Sequence, residues 1–189
     1  MSVSKKIKDA VKEVGLMNEL CEHLRQIGIN ARLLESGSPD AVGPRWKKSI
    51  FASSYVLGCI MFEDRNLDLV QVERQPSQMI PPPYGYNYVV RAIVEGLEGK
   101  LWAQTKPIGP VDFEWEGGYL AQLLNADSDL QDMLLRAGSN KLWISPDKRN
   151  RCVRITPLTV ERKAFPTREA FEAYDRIAQH VRSIASARP

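Results

Sequence analysis

Cysteine and histidine are scarce in this chain: three of the first, Cys21, Cys59 and Cys152, and two of the second, His23 and His180. The cysteines are odd in number and far apart, which argues against a disulfide framework and makes reduced thiols the expectation. No C-x-x-C or H-x-x-x-H spacing occurs, and Cys21 and His23, two apart, do not share a helix face. A zinc site would need ligands from unrelated elements, so small buried thiols are expected, with no metal and no other cofactor. Nothing local marks a Cys–His nucleophile pair either.

Long apolar runs are also missing. The longest fall short of a membrane span, and the lysines of residues 1–12 precede no apolar stretch, so neither a membrane nor a signal peptide is expected and the location follows as cytoplasmic. Charge of one sign is lacking too. The 26 basic and 23 acidic residues leave +3, too balanced for a chain built to neutralise nucleic-acid phosphates. Trp143, Arg149, Arg151 and Arg154 have the residue types of a stacking and phosphate-pairing patch, but Asp147 dilutes it, and a solvated hairpin is the expectation.

What is present is an ordinary globular composition, 43% hydrophobic and 26% charged, with enough length for a single domain over 1–189 and a real core. Its centre is the stretch 86–107, which reads as a β-hairpin around Gly96-Leu97-Glu98-Gly99. That register sets Glu95 opposite Lys100 as an opposite-charge pair, Val94 opposite Leu101 and Ala92 opposite Ala103. The other hairpin face carries Ile93, Trp102, Val89, Arg91, Gln104 and Lys106, too apolar for a wet surface and too polar for a dry core. Arg91, Ile93 and Trp102 are therefore expected to form a binding surface, since Arg and Trp recur in interface hot spots.

Around this centre, apolar residues three or four apart predict a helix over 3–27, stopped by Gly28. A short strand over 29–34 and a loop over 35–45 follow; 46–56 fits helix or strand. A second hairpin pairs 59–63 with 67–73 around Asp64-Arg65-Asn66, setting Met61 opposite Leu69 and Ile60 opposite Val70, with Asn66 as the left-handed residue. The proline-rich 75–85 reads as an extended link; its Pro81-Pro82-Pro83-Tyr84 string has the form of a ligand for aromatic-grooved modules, but its place between hairpins already explains it. Phe113 and Trp115 alternate with Glu114 and Glu116 as an edge strand. Gly117-Gly118 then opens a helix through Leu120 and Leu124, as a sharp turn rather than an anion site, because the two glutamates would repel phosphate. Ser128 with Gln131 forms a capping-box pattern for the next helix, ended by Gly138, and Asp127, Asp129 and Asp132 read as capping and solvated face rather than a calcium loop. A third hairpin joins 141–145 to 151–156. Thr167 caps a last helix with the stripe Phe171, Tyr174, Ile177, Ala178, Val181 and Ile184.

These patterns predict an α+β fold: a largely antiparallel sheet of about six to eight strands built from three β-hairpins, with N-terminal, middle and C-terminal helices packed on it. No catalytic motif is present. The expected function is a non-enzymatic binding or assembly protein that forms a homo-oligomer, its ligand not specified by the sequence. The alternative is an enzyme or small-ligand carrier with an aromatic-lined pocket near Tyr86, Tyr88, Trp102 and Trp115, using carboxylates such as Glu114 and Glu116.

Overall fold

The computed structural model describes residues 3–43, 55–74, 84–109, 112–139, 141–158 and 165–187, with the backbone alone for 3–14 and 55. The chain runs α1 (Val3–Gln26), β1 (Ala31–Leu33), β2 (Tyr55–Phe62), β3 (Leu69–Arg74), β4 (Tyr84–Arg91), α2 (Glu98–Leu101), β5 (Ala103–Pro107), β6 (Phe113–Gly117), α3 (Tyr119–Asn125), α4 (Ser128–Arg136), β7 (Leu142–Asp147), β8 (Cys152–Pro157) and α5 (Arg168–Ser186). All eight strands join one sheet in the order β1-β2-β3-β4-β8-β7-β5-β6, and every neighbouring pair is antiparallel. The α+β class with an antiparallel sheet is thus as the sequence patterns predict. The ambiguous stretch 46–56 and the proline link 75–85 fall mostly outside the described residues, including Pro81, Pro82 and Pro83.

Period-2 alternation sorts the strands' side chains between two faces. Ile60, Val70, Val72, Tyr88, Val90, Ile144, Val153 and Ile155 bury against the helices in the main core. The predicted α5 stripe lies there in full, from Phe171 to Ile184, and Thr167 caps the helix by accepting the Ala170 N–H at 3.2 Å. Among the described members of the α1 stripe, Met17, Leu20, Cys21 and Leu24 are buried, and Gly28 stops the helix with φ +84°.

The β2–β3 hairpin has the expected register, Ile60 opposite Val70 and Met61 opposite Leu69. Its left-handed residue is Asp64 (φ 57°), not Asn66. The reason is tertiary. Asp175 of α5 accepts the main-chain N–H groups of Asn66 and Leu67 at 2.8 and 2.9 Å and the Asn66 side-chain amide at 3.0 Å. Arg182, two turns on, donates to the Asn66 carbonyl at 2.7 Å. The turn is therefore built onto the helix, and Asn66 serves as an anchor.

The central hairpin does not form. β4 pairs with β3 and β8, β5 with β7 and β6, so β8 and β7 lie between the two strands predicted to face each other. Val94, Leu97 and Leu101 are all buried, at a spacing of three then four, and that helical spacing wins over the strand alternation. It winds the connection into turns, with Leu97 N–H donating to Val94 and Lys100 N–H to Leu97. Glu98 takes Lys148 at 2.6 Å in place of the predicted Glu95–Lys100 pair. Gly118 packs on this connection so closely that an added Cβ would lie 1.8 Å from the Gly99 carbonyl oxygen, which only glycine permits.

The α4 N-cap is Asp127 rather than Ser128: its carboxylate accepts the Leu130 N–H at 3.2 Å. The edge strand β6 is as predicted, and its outer side is covered. Asn125 accepts the Trp115 N–H and donates to the Trp115 carbonyl, both at 2.8 Å, so one side-chain amide imitates a neighbouring strand. Such plugging protects an edge from pairing with other chains. Asn125→Ala is expected to lower stability by about 1 kcal/mol and to raise concentration-dependent aggregation. Light scattering during thermal melts checks this; an unchanged aggregation onset would show the edge needs no plug.

Candidate functional site

The second sheet face holds what no single helix or strand explains. Its buried apolar cluster, Leu34, Val42, Cys59, Leu69, Val89 and Cys152, includes no helix residue among the described residues. Beside it the register aligns polar residues across the central strands: Gln71 opposite Asn87, Thr156 opposite Trp143, and Trp143 opposite Gln104. Thr156 donates to Asn87 at 2.8 Å, which closes the row between β4 and β8. Gln71, Glu73, Asn87, Arg154 and Thr156 are all buried.

Arg154 is the centre of this face and has no exposed surface. Its Nε donates to Asp147 at 3.0 Å, Nη1 to the Gln71 side-chain oxygen and to Glu73 at 3.5 Å, and Nη2 to the Gly43 carbonyl at 2.7 Å. A buried charge is costly unless paired and fully hydrogen-bonded, and the planar guanidinium fork meets that condition with several acceptors at once. Gln71 donates to the carbonyls of Val42 and Gly43. Asn150 accepts the Gly43 N–H at 3.1 Å and donates in turn to Asp147 at 2.7 Å. Arg91 donates to the Asp40 carbonyl and pairs with the Asp40 carboxylate at 3.7 Å. The common target is the segment 34–43, a strap drawn across the sheet face and fixed at its C-terminal end by side chains from β3, β4, β8 and the β7–β8 turn.

This network sets the local acid–base behaviour. Burial alone would raise the Asp147 carboxyl, but hydrogen bonds from Asn150 and the Arg154 guanidinium together hold it below the ordinary range. Burial raises the Cys59 thiol and pushes Cys152 up to about 12, partly offset by Arg154. Both are therefore protonated and poor nucleophiles. Cys21, Cys59 and Cys152 are free and buried.

Between the strap, β2 and α1 lies a cleft of about 500 Å³. Met17, Leu33, Leu34, Ala41, Val42, Val56, Leu57 and Cys59 supply apolar walls, three glycines leave backbone exposed, and Glu35 and Ser36 are the polar members. A second cluster, at the α4 N-terminus, joins Asp127 to Arg176 at 2.6 and 2.7 Å and to His180 at 2.8 Å. Burial would raise Asp127, and His180, Arg176 and the Leu130 N–H together hold it low. This cluster fastens α5 to a helix cap.

Of the residues predicted to bind, Arg91 ends β4, donates its N–H to Asp68 at 2.7 Å and reaches the strap. Ile93 lies just beyond that strand and is 47% exposed. Trp102, half-buried between α2 and β5, accepts the Gly118 N–H at 2.8 Å. With β8 and β7 in between, the ladder that was to set Trp102 beside Ile93 is absent. Tyr86, Tyr88 and Trp115 belong to the main core. Tyr88 packs on Tyr174 and Phe171 at 4.7 and 6.2 Å between ring centres, Tyr86 on Phe165 at 6.5 Å and Trp115 on Phe113 at 5.9 Å. Glu114 and Glu116 are exposed on the edge strand, the first paired with Lys106 at 3.7 Å. Arg149 and Arg151 are exposed in the β7–β8 turn while Arg154 is buried beneath the strap, so the three do not make one basic patch.

Sequence reasoning missed Gln71 and Glu73, and read Arg154 and Asp147 as part of a solvated hairpin where the structure buries Arg154. The available signal was polar residues at period 2 on strands otherwise rich in Val, Ile and Tyr, which reads equally well as a wet face. Among the described residues no group of three or more His, Cys, Asp and Glu side chains is placed to hold a metal ion, and no helix is long and apolar enough to cross a membrane. No protein-family model, no curated protein and no solved structure matches this chain.

Proposed function

We propose that this protein works by holding a partner rather than by turning over a substrate, and that it self-associates. The observation that supports this reading is where its buried polar groups are directed. Arg154, Gln71, Asp147 and Asn150 all serve the strap, and Asp127, Arg176 and His180 serve a helix cap. General acid–base and nucleophilic catalysis need a group with a free lone pair or proton aimed at open space. These groups face their own fold instead.

For self-association the contact surface is the end of β4 and the connection after it. Ile93 is exposed there beside the partly exposed Arg91, and Trp102 follows at the far end of the same connection. Both sheet edges are blunted, β6 by Asn125 and the short β1 by Arg25, which donates to the Ala31 carbonyl at 3.0 Å. Assembly through a side-chain surface is therefore favoured over sheet extension. Sedimentation velocity over a hundredfold concentration range is the test. Wild type is expected to associate, and Ile93→Asp and Trp102→Ala to shift it toward monomer by at least about tenfold in Kd, with Ile93→Asp melting like wild type. A wild type that stays monomeric throughout would overturn self-association.

A further inference from the structure

We propose that the strap is a latched cover: residues 35–43 open as a unit while the sheet stays folded, and the latch is a two-sided grip on Gly43. The inference is independent of self-association. It starts from where the main-chain groups of the strap go. Leu34 N–H donates to the Cys59 carbonyl at 2.9 Å, one residue beyond the end of β1. From there the chain closes on itself, with Ser38 N–H donating to the Glu35 carbonyl at 3.1 Å and Ala41 N–H to the Ser38 carbonyl at 3.0 Å. Gly37, at φ +82°, supplies the left-handed residue this turn needs. The C-terminal end is held by side chains instead. Asn150 accepts the Gly43 N–H, while Arg154 and Gln71 donate to the Gly43 carbonyl. Bonds of this kind part without breaking any strand-to-strand pair, so opening the strap and unfolding the sheet are separable events.

An opened state is accessible only if it strands no buried charge. Arg154 meets that condition from the sheet side. When the strap leaves, Nε keeps Asp147 at 3.0 Å and Nη1 keeps Gln71 and Glu73; the bond lost is the one from Nη2 to Gly43. The second donor released is the Gln71 amide, which holds the Val42 and Gly43 carbonyls. The apolar resistance is small, because Val42 is the one member of the second-face cluster that lies within 35–43.

The latch has a sequence requirement of its own. A Cβ on Gly43 would stand 2.8 Å from the Asn150 side-chain oxygen, so any side chain there pushes Asn150 off the strap. Asn150 is itself held by Asp147, which accepts its main-chain and side-chain N–H groups at 3.1 and 2.7 Å. The same carboxylate holds Arg154. Asp147 thus orients both jaws, Asn150 on the Gly43 N–H and Arg154 on the Gly43 carbonyl.

The test is site-resolved alkylation of Cys59 by iodoacetamide in full-length protein, with amide exchange of β4 and β8 followed in parallel. Cys59 is buried in one cluster with Val42, and the Val42 main chain lies against its thiol, so its alkylation reports opening. In wild type, alkylation is expected to run at least about 100-fold faster than strand exchange allows. It should stay level through low urea while strand exchange climbs. Asn150→Ala and Gly43→Ala each release the grip from one side. Each is expected to speed alkylation at least about tenfold and to leave strand exchange unchanged. The double variant should be no more than about twofold faster than the quicker single, because both remove one contact. Alkylation that follows strand exchange in rate and urea response would make strap and sheet one unit and overturn the proposal; this wild-type comparison stands even where a variant fails to fold. Natively folded latch variants that leave alkylation unchanged, or that speed it only as much as strand exchange, would overturn it as well.

Discussion

Arg154→Ala is expected to destabilise the protein by about 3–5 kcal/mol, because it leaves Asp147 and Glu73 without the guanidinium they surround. The loss also reaches the strap, since Gly43 loses a donor and Gln71 an ordering partner. Urea denaturation followed by circular dichroism measures it, and a change under about 1 kcal/mol would show that the network is energetically idle. Arg154→Lys keeps the charge but not the planar fork, and is expected to recover only part of the loss. Arg154→Met combined with Asp147→Asn removes the carboxylate that the guanidinium holds at 3.0 Å and is expected to recover more than Arg154→Lys. That order distinguishes an uncompensated Asp147 from lost packing.

The same network predicts the response to acid. Asp147 and Asp127 both sit below their ordinary values in the folded state. A carboxylate lowered by folding contributes its full stabilisation above its unfolded pKa and loses it as pH falls through the folded value. With unfolded aspartate near pH 3.9, stability should hold from neutrality to about pH 4 and decline below that. Asp147→Asn should flatten the decline, and an unchanged acid slope in that variant would remove Asp147 from the explanation.

Ile177→Asp carries the second large effect. Ile177 has no exposed surface and stands in the middle of the α5 stripe. An aspartate there has no counter-charge in an apolar contact surface, and the expected cost exceeds about 4 kcal/mol, enough to unfold a marginally stable domain. Ile177→Val, which removes one methylene in the same place, is expected to cost about 0.5–1.5 kcal/mol. An Ile177→Asp protein that melts like wild type would mean that α5 contributes little to the core. Because α5 also holds the β2–β3 turn through Asp175 and Arg182, partial unfolding in Ile177→Val should appear first as faster amide exchange at Asn66 and Leu67.

How much was legible differs from element to element. The α5 stripe, its Thr167 cap, the β2–β3 register and the alternation of Phe113 and Trp115 with two glutamates were all readable, since each rests on residues close in sequence. The stretch 86–107 misled for the same reason. Two β-rich runs around a Gly-Leu-Glu-Gly connection are locally a hairpin, and the competing signal, Val94, Leu97 and Leu101 at helical spacing, is short. Whether such a stretch folds back on itself or lets two other strands enter between its halves depends on the free energy of pairing with β8 and β7, some fifty residues on.

Sequence alone therefore determined the periodic elements, the helix stops and the helix-facing side of the core, because a hydrophobic stripe and a cap act within a few residues. Tertiary structure alone decided the strand order, the anchoring of turns on α5 and the character of the second face. Gln71, Glu73, Asp147 and Arg154 are hydrophilic in any local reading; they become a buried network only when the strap 34–43 crosses them and supplies carbonyl acceptors, 28 residues away in the chain from Gln71 and 111 from Arg154. Burial is a property of what lies on top of a residue, and nothing near Arg154 in the sequence names the strap that covers it.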